Sequence, residues 1–216
     1  MIALTARVAV GYAPVIMMSR SKLYQPSDAD RERARRESIA WAQQVLVDDR
    51  VVYLDTETTG LDGTAEIVEI SVLDCRGNVL LDTLVQPSAP IPPDAEAIHG
   101  ISNSMVAGAP GWPVVSQWLR EIVARRTVVV YNADFDFRMV SQMDGRHRLG
   151  AGLHPWQCAM RRYSGYAGIW NQKYGNYRFH KLDDAVSAFG HPPGGHRALS
   201  DAMACKLVVE GMARSG

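Results

Sequence analysis

Three short acidic segments constrain this chain more than any other feature, because the fold must either separate their carboxylates or provide something to hold them together. The segments are Asp55-Thr56-Glu57-Thr58-Thr59-Gly60, Asn132-Ala133-Asp134-Phe135-Asp136 and His196-Arg197-Ala198-Leu199-Ser200-Asp201. Carboxylates that converge repel one another unless a divalent cation lies between them, and the histidine near the last acid adds a base. We therefore expect one divided site, suited to metal-assisted attack of water on a phosphodiester.

The composition is that of a folded and electrically neutral chain. Its 216 residues are 47% hydrophobic and 21% charged, which is enough for a packed core. Lys plus Arg and Asp plus Glu both number 23, so nucleic acid would have to meet a local basic patch. Cys75, Cys158 and Cys205 have neither disulfide nor zinc spacing, which predicts reduced thiols and a cytoplasmic location. The apolar stretch 1–18 is too short to span a membrane, a weak signal peptide being the alternative.

The sequence divides into an N-terminal extension over residues 1–49 and one α/β domain over 50–213. In the extension, Ser27 is a predicted N-cap for a helix whose first turn is acidic. The arginines at 31, 33, 35 and 36 either contact phosphate or, as we favour, form a solvated helix face.

Within the domain, hydrophobic periodicity predicts strands first and alternating strands and helices later. Apolar runs at 51–54 and 127–131 predict buried strands, and the runs at 65–74 and 78–85 predict a hairpin. Helical spacing covers 112–125, 133–143, 182–189 and 197–211. This order predicts a mixed sheet flanked by helices.

The spacing within each acidic segment suggests how its side chains point. Asp55 and Glu57 are two apart at the end of a strand, so both face one side, where they either supply oxygen ligands to Mg²⁺ or Mn²⁺ or form a solvated turn. Asp134 and Asp136 open a helix, and either is acceptable as a helix-start acid. His196 precedes Asp201 by five residues, which places it on the loop or first turn above the metals. Phe135 and Phe137 are expected to pack inward.

In this order the motifs resemble those of the DEDDh branch of the DnaQ-like 3′–5′ exonucleases, whose fold is RNase H-like. The family's motifs are matched by Asp55 to Leu61, by Tyr131 to Asp136 and by His196 to Asp201, and its Ile-His-Gly-Ile segment recurs at 98–101. The resemblance covers about residues 50–211. It implies a five-stranded mixed sheet whose first three strands form an antiparallel meander. It also selects Asp136, rather than Asp134, as the metal ligand. Tyr131 departs from the histidine that is usual there.

The resemblance also implies the roles of the site residues. Two Mg²⁺ or Mn²⁺ ions would be held by Asp55, Glu57, Asp136 and Asp201, and His196 would be the general base. Nucleoside 5′-monophosphates would leave the 3′ end of single-stranded DNA or of a DNA end. The implied substrate contacts are Thr58, Gly60, Leu61, His99, Asn132 and Phe135. For Leu61, a wedge against the terminal bases and ordinary core packing are equally open.

A mixture of basic and aromatic residues at 161–181 is a second local signal. Cations that follow phosphates and rings that stack on bases suit a single strand, so Tyr174 and Arg178 are predicted substrate contacts. The alternative is a loop whose rings cover the edge of the sheet.

Three alternatives remain at this point. The substrate could be RNA, including short oligoribonucleotides, because nothing in the sequence recognisably reads a 2′-hydroxyl. The domain could be a catalytically silent nucleic-acid-binding scaffold, although all four acids and the histidine are present. It could be a proofreading subunit that acts beside a polymerase. A homodimer that lends basic residues to the partner's site is also a prediction.

Overall fold

The computed structural model of the protein describes residues 24–150 and 156–216. The prediction made for residues 1–18 lies outside these ranges. Within them, no helix combines the length and the apolar character that crossing a membrane requires.

A five-stranded mixed sheet organises the described chain. Its strands are β1 (Val51–Thr58), β2 (Ile67–Asp74), β3 (Val79–Leu84), β4 (Thr127–Val130) and β5 (Gln157–Cys158), in the order β3-β2-β1-β4-β5. The first three form an antiparallel meander, whereas β4 runs parallel to β1 and β5 runs parallel to β4. This confirms the predicted fold class. Strand β5 was not predicted, because two residues give no periodic signal.

Helices cover both faces of the sheet. They are α1 (Asp28–Val47), α2 (Pro93–His99), α3 (Asn103–Val106), α4 (Trp112–Val123), α5 (Ala133–Arg146), α6 (Ala159–Ala167), α7 (Leu182–Ser187) and α8 (Ala198–Ala213). Alternate residues of β1 enter different cores: Val51 and Tyr53 pack with α1, α6 and α8, whereas Val52 and Leu54 pack with α4 and α5. This period-two pattern determines which face the acids at the end of β1 will share.

Helix α1, which lies in the predicted extension, packs against α6 and α8. Ser27 forms the predicted N-cap, in a capping box with Asp30. Trp41, Ala42 and Val45 are buried in the same hydrophobic cluster as the first residues of β1. The helix therefore shares a core with the sheet.

The four arginines of α1 divide into two pairs. Arg31 donates to the carbonyl oxygen of Gly168, and Arg35 donates to that of Tyr166 at 3.2 Å, so both bond the C-terminal end of α6. Arg33 and Arg36 are exposed and form ion pairs within α1 itself. The favoured prediction of a solvated face is right for the second pair only.

The basic and aromatic segment 161–181 is not a simple loop. Its first part belongs to α6, and its second part forms a small hairpin of β6 (Trp170–Asn171) and β7 (Asn176–Tyr177). Tyr163 is buried and Tyr166 stacks on it, because their spacing turns both rings to one side of a helix. The Trp170 ring meets Tyr24 and Tyr177 edge to face. Most of these rings thus pack within the fold, but from a helix and a hairpin, whereas the alternative interpretation expected a loop over the edge of the sheet.

Candidate active site

The end of β1 brings two acids onto the sheet face that α8 covers. Asp55 and Glu57 continue the alternation of Val51 and Tyr53, so their side chains point toward α8. Asp201 lies in the first turn of that helix. One carboxylate oxygen from each of Asp55, Glu57 and Asp201 lies within 4.8 Å of the others. The fold therefore brings Asp201 next to the two acids of β1, which are distant from it in sequence, and the three form one acidic cluster.

The fourth predicted acid, Asp136, lies in the first turn of α5 and is only 3% exposed. Its Oδ1 accepts a hydrogen bond of 2.7 Å from the hydroxyl of Thr56, the residue between the two acids of β1. Asp134, two positions earlier, is exposed and pairs with Arg161. The acid that the family motif selects is thus buried against β1, although it is not among the three whose oxygens lie within 4.8 Å of one another, and the other is a surface residue.

Crowding and burial make these carboxylates hard to ionise. Burial raises the pKa of Asp55 well above its usual range, and the neighbouring charges of Asp136, Asp201 and Glu57 raise it further. The pKa of Glu57 is raised to about 8 by burial, with Asp201 the next cause. Any cation that neutralises these carboxylates therefore stabilises the cluster.

Asp136 and Asp201 each have a neighbour that opposes the rise in pKa. Burial raises the pKa of Asp136 to about 7, although the hydrogen bond from Thr56 works against the rise. Burial also raises the pKa of Asp201 to about 6, and the nearby His196 opposes the rise. Asp201 Oδ1 is buried without a hydrogen-bond partner among the described residues. An oxygen left in this way fits a metal ligand, and carboxylate oxygens are what Mg²⁺ and Mn²⁺ prefer.

His196 is exposed at the rim of this cluster, immediately before α8. Its φ of 55° lies in the left-handed region, which is uncommon for a residue other than glycine and marks a constrained position. Together with Asn132 and Asp201 it lines an open cavity of about 490 Å³. The loop before it runs close to the acid, since a Cβ on Gly194 would lie 1.9 Å from Asp201 Oδ1. Any other residue at that position would displace the Asp201 carboxylate.

The cavity also contains residues that were not predicted from the sequence. Phe179 is 49% exposed at its edge, and Lys181 and Asp183 line it. The Tyr131 hydroxyl, in place of the family's histidine, donates to the carbonyl oxygens of His180 and Lys181 at 3.0 and 3.2 Å. Phe179 and Lys181 belong to the basic and aromatic segment. Nothing in the sequence pattern separates these two from the residues of that segment that only pack within the fold.

A hydrogen bond within the first motif closes the turn after β1. The Thr58 hydroxyl donates to the carbonyl oxygen of Gly60 at 2.7 Å. Leu61 is 75% exposed, so ordinary core packing is wrong for this side chain. Arg138 of α5 donates to the Leu61 carbonyl oxygen at 3.0 Å, which ties the turn to the helix.

The remaining predicted substrate contacts lie in varied environments. His99 is 4% exposed, and its Nδ1 accepts from the backbone N–H of Ile101 at 3.0 Å. Phe135 is half-buried as expected, but Phe137 is 37% exposed and meets Trp156 edge to face, so its predicted inward packing is wrong.

Tyr174 and Arg178 are both exposed, on and next to the β6–β7 hairpin. Tyr174 is 67% exposed, with the Lys173 ammonium 5.0 Å from its ring. Neither residue lines the cavity that contains His196.

A mixed sheet with two acids at the end of its first strand, two more in the first turns of the helices packed against it, and a histidine beside them defines a nuclease of the RNase H-like fold. The exonuclease family model RNase_T matches residues 52–209, and the chain belongs to this family, with the DnaQ-like DEDDh enzymes. It is 38% identical to the uncharacterized exonuclease CP81 of Escherichia phage 186, over 81% of this chain and 93% of that protein. It is 34% identical to exodeoxyribonuclease 10 of Escherichia coli K12, over 76% of this chain and 69% of the relative.

Solved structures show the same fold. Exonuclease X in complex with 5′ overhanging duplex DNA matches with a TM-score of 0.54 and 28% identity, covering 77% of this chain and 93% of that one. The nuclease domain of 3′hExo, a DEDDh family member bound to rAMP, matches with a TM-score of 0.61 and 17% identity, covering 77% and 92%.

Proposed function

We propose that the protein is a metal-dependent 3′–5′ exonuclease that releases nucleoside 5′-monophosphates from the 3′ end of single-stranded DNA or of a DNA end. The observation that carries this proposal is the convergence of Asp55, Glu57 and Asp201 within 4.8 Å of one another, with a histidine at the rim. An acidic cluster so crowded is unfavourable without a cation, and a base next to it suits hydrolysis.

Asp55, Glu57, Asp136 and Asp201 would hold two Mg²⁺ or Mn²⁺ ions. When bound, these ions supply charge neutralisation at the phosphate and increase the acidity of a bound water. His196 accepts the proton from the attacking water, which it can do only as a neutral imidazole. The hydrogen bond from Thr56 favours the ionised form of Asp136 and orients its carboxylate.

Substrate binding is assigned to the turn after β1, to the cavity that contains His196, and to the β6–β7 hairpin. Leu61 projects from the turn after β1 and packs against the terminal base. Thr58 and Gly60 shape that turn, and Asn132 lines the cavity. His99 and Phe135 are assigned to the surface at the turn; Arg138 lies over the Phe135 ring and bonds the Leu61 carbonyl oxygen. Tyr174 and Arg178 bind nucleotides farther along the strand.

DNA is the favoured substrate because exodeoxyribonuclease 10, at 34% identity, is named for DNA and exonuclease X, at 28% identity, is in complex with duplex DNA. RNA is the second candidate, because the exposed ring of Phe179 at the cavity edge can stack on a base of either kind. We also place the protein in the cytoplasm, since all three cysteines are free.

The decisive test is a nuclease assay on 5′-labelled single-stranded DNA, duplex DNA and RNA, each with Mg²⁺, Mn²⁺ or EDTA. A metal-dependent ladder that shortens from the 3′ end is expected, fastest on DNA. Cleavage of RNA alone would instead establish the exoribonuclease. Absence of metal-dependent cleavage on all three substrates would favour the silent scaffold.

Two matched acids on α5 make the assay specific. Asp136→Asn removes the buried carboxylate and should abolish cleavage, whereas Asp134→Asn removes an exposed one on the same helix turn and should not. His196→Ala should lose most turnover yet still bind Mn²⁺, and Asp55→Ala should weaken Mn²⁺ binding itself. Near-normal turnover by His196→Ala would exclude the proposed base.

A further inference from the structure

Glu69 is a buried acid next to the acidic cluster that takes no part in the chemistry described above. It lies on β2 directly opposite Glu57 of β1, so both side chains leave the same face of the sheet. Its side chain is only 4% exposed. A carboxylate buried so deeply is unfavourable unless donors satisfy it, and the identity of those donors indicates its role.

All hydrogen bonds to its carboxylate among the described residues come from the third acidic segment. Arg197 Nε lies 3.1 and 3.0 Å from the two oxygens of Glu69, and Arg197 Nη2 also donates to Oε1. The backbone N–H of Ala198 donates to Oε2 at 2.9 Å. Glu69 therefore joins the start of α8 to the middle of the sheet.

This contact replaces an ordinary helix cap. Arg197 is the N-cap residue of α8 and makes no side-chain capping bond of its own. The carboxylate of Glu69 supplies that bond from a neighbouring strand, and its negative charge lies at the positive end of the helix. The position of the first helical turn is thus set by β2 as well as by packing.

The residues held by this turn are the ones assigned to catalysis. His196 directly precedes Arg197, and the N–H of Asp201 donates to the Arg197 carbonyl oxygen at 2.9 Å. We propose that Glu69 is a positioning residue that fixes His196 and Asp201 relative to the acids of β1. The proposal rests on the proposed function of the site, because it assigns Glu69 a task within the same reaction.

Glu66 offers a matched control for the test. It immediately precedes β2, it is 4% exposed, and it too is paired with an arginine, Arg146, at 3.1 Å. Its other partners are the N–H and hydroxyl of Ser88, away from α8. Glu66→Ala and Glu69→Ala therefore remove similar buried ion pairs, but only Glu69→Ala removes the contact with the third segment.

The first measurement is hydrogen exchange in the metal-free full-length protein. Glu69→Ala should increase amide exchange about tenfold or more at residues 198–201, and Glu66→Ala should leave these amides as in the wild type. Equal exchange at 198–201 in the two variants would overturn the proposal. So would an increase spread over the whole sheet, because that would indicate general destabilisation.

The second measurement is steady-state kinetics with Mn²⁺ and labelled single-stranded DNA. Glu69→Ala should lower turnover about 10- to 100-fold with KM within about twofold, because outer residues that orient a site have effects of this size. Turnover equal to that of Glu66→Ala would contradict a positioning role. If the wild type cleaves no substrate, the proposed function fails, and the exchange data alone then decide whether Glu69 fixes α8.

A double variant checks that the two partners act as one unit. If Arg197→Ala is added to Glu69→Ala, turnover should fall by less than about twofold further, since the contact is already lost. If the two substitutions instead lower turnover by factors that multiply, Arg197 acts elsewhere, and the proposed arrangement is overturned.

Discussion

Replacing Glu57 by glutamine should make the metal-free protein more stable at alkaline pH, although the substitution removes a residue from the acidic cluster. Glu57 is partly buried beside Asp55 and Asp201. Burial, and then the charge of Asp201, raises its pKa from an ordinary 4.5 to about 8. Glutamine has nearly the same shape and carries no charge at any pH.

The sign of the effect follows from proton binding. Between pH 4.5 and about 8 the folded protein holds a proton on Glu57 that the unfolded chain has released. Stability therefore falls as pH rises through this range and becomes level above it. This rise in the pKa of Glu57 corresponds to a loss of at most about 5 kcal/mol in the free energy of unfolding. Solvent screens a partly exposed group, so we expect about 2 kcal/mol, or a melting temperature about 4–8 °C higher for the variant above pH 8.

The assay is calorimetry of EDTA-treated wild type and Glu57→Gln at pH 5 and pH 8.5. The variant should gain stability at the higher pH and differ little at the lower one, where the wild-type carboxyl is protonated. Excess Mn²⁺ should favour the wild type again, because a cation that binds only the folded state stabilises it. Equal melting temperatures at pH 8.5 without metal would refute the reasoning. Glu66→Gln, which loses a paired carboxylate, should be less stable at both pH values.

Three further substitutions test other parts of the site. Thr56→Val removes the hydroxyl that bonds Asp136 and should weaken Mn²⁺ binding about tenfold by titration calorimetry; unchanged affinity would contradict this role. Leu61→Ser should leave the melting temperature unchanged, because the side chain is 75% exposed, yet slow cleavage of duplex ends more than of single strands; equal slowing would argue against a wedge. Tyr174→Ala combined with Arg178→Ala should raise KM for oligonucleotides without changing turnover, and an unchanged KM would exclude the hairpin as a binding surface.

The sheet was predictable because its strands have strong local signals. The apolar run 51–54 and the hairpin turn at Arg76-Gly77 identify β1 to β3, and the run before Tyr131 identifies β4. The segment 159–181 was not predictable in the same way. Aromatic and basic residues there alternate too irregularly to separate α6 from a loop, and its packing is decided by contacts with α1.

The site was predictable as a set of motifs, but not in its physical detail. Spacing left Asp134 and Asp136 equally open, and the family resemblance was enough to prefer Asp136, whose burial and bond to Thr56 now distinguish it from Asp134. No local pattern reveals that Glu69 caps α8, because that contact joins residues more than a hundred positions apart. The homodimer stays a prediction.

The packing of α1 has a consequence for how this catalytic fold can be excised or transplanted. The family match begins at residue 52, but Trp41, Ala42 and Val45 fill the space between α6 and α8. Removing everything before residue 50 would uncover apolar surface on the helix that carries Asp201, at about 25 cal/mol for each Å² exposed. We therefore expect the smallest fragment that folds on its own to include α1 and to be longer than the family pattern.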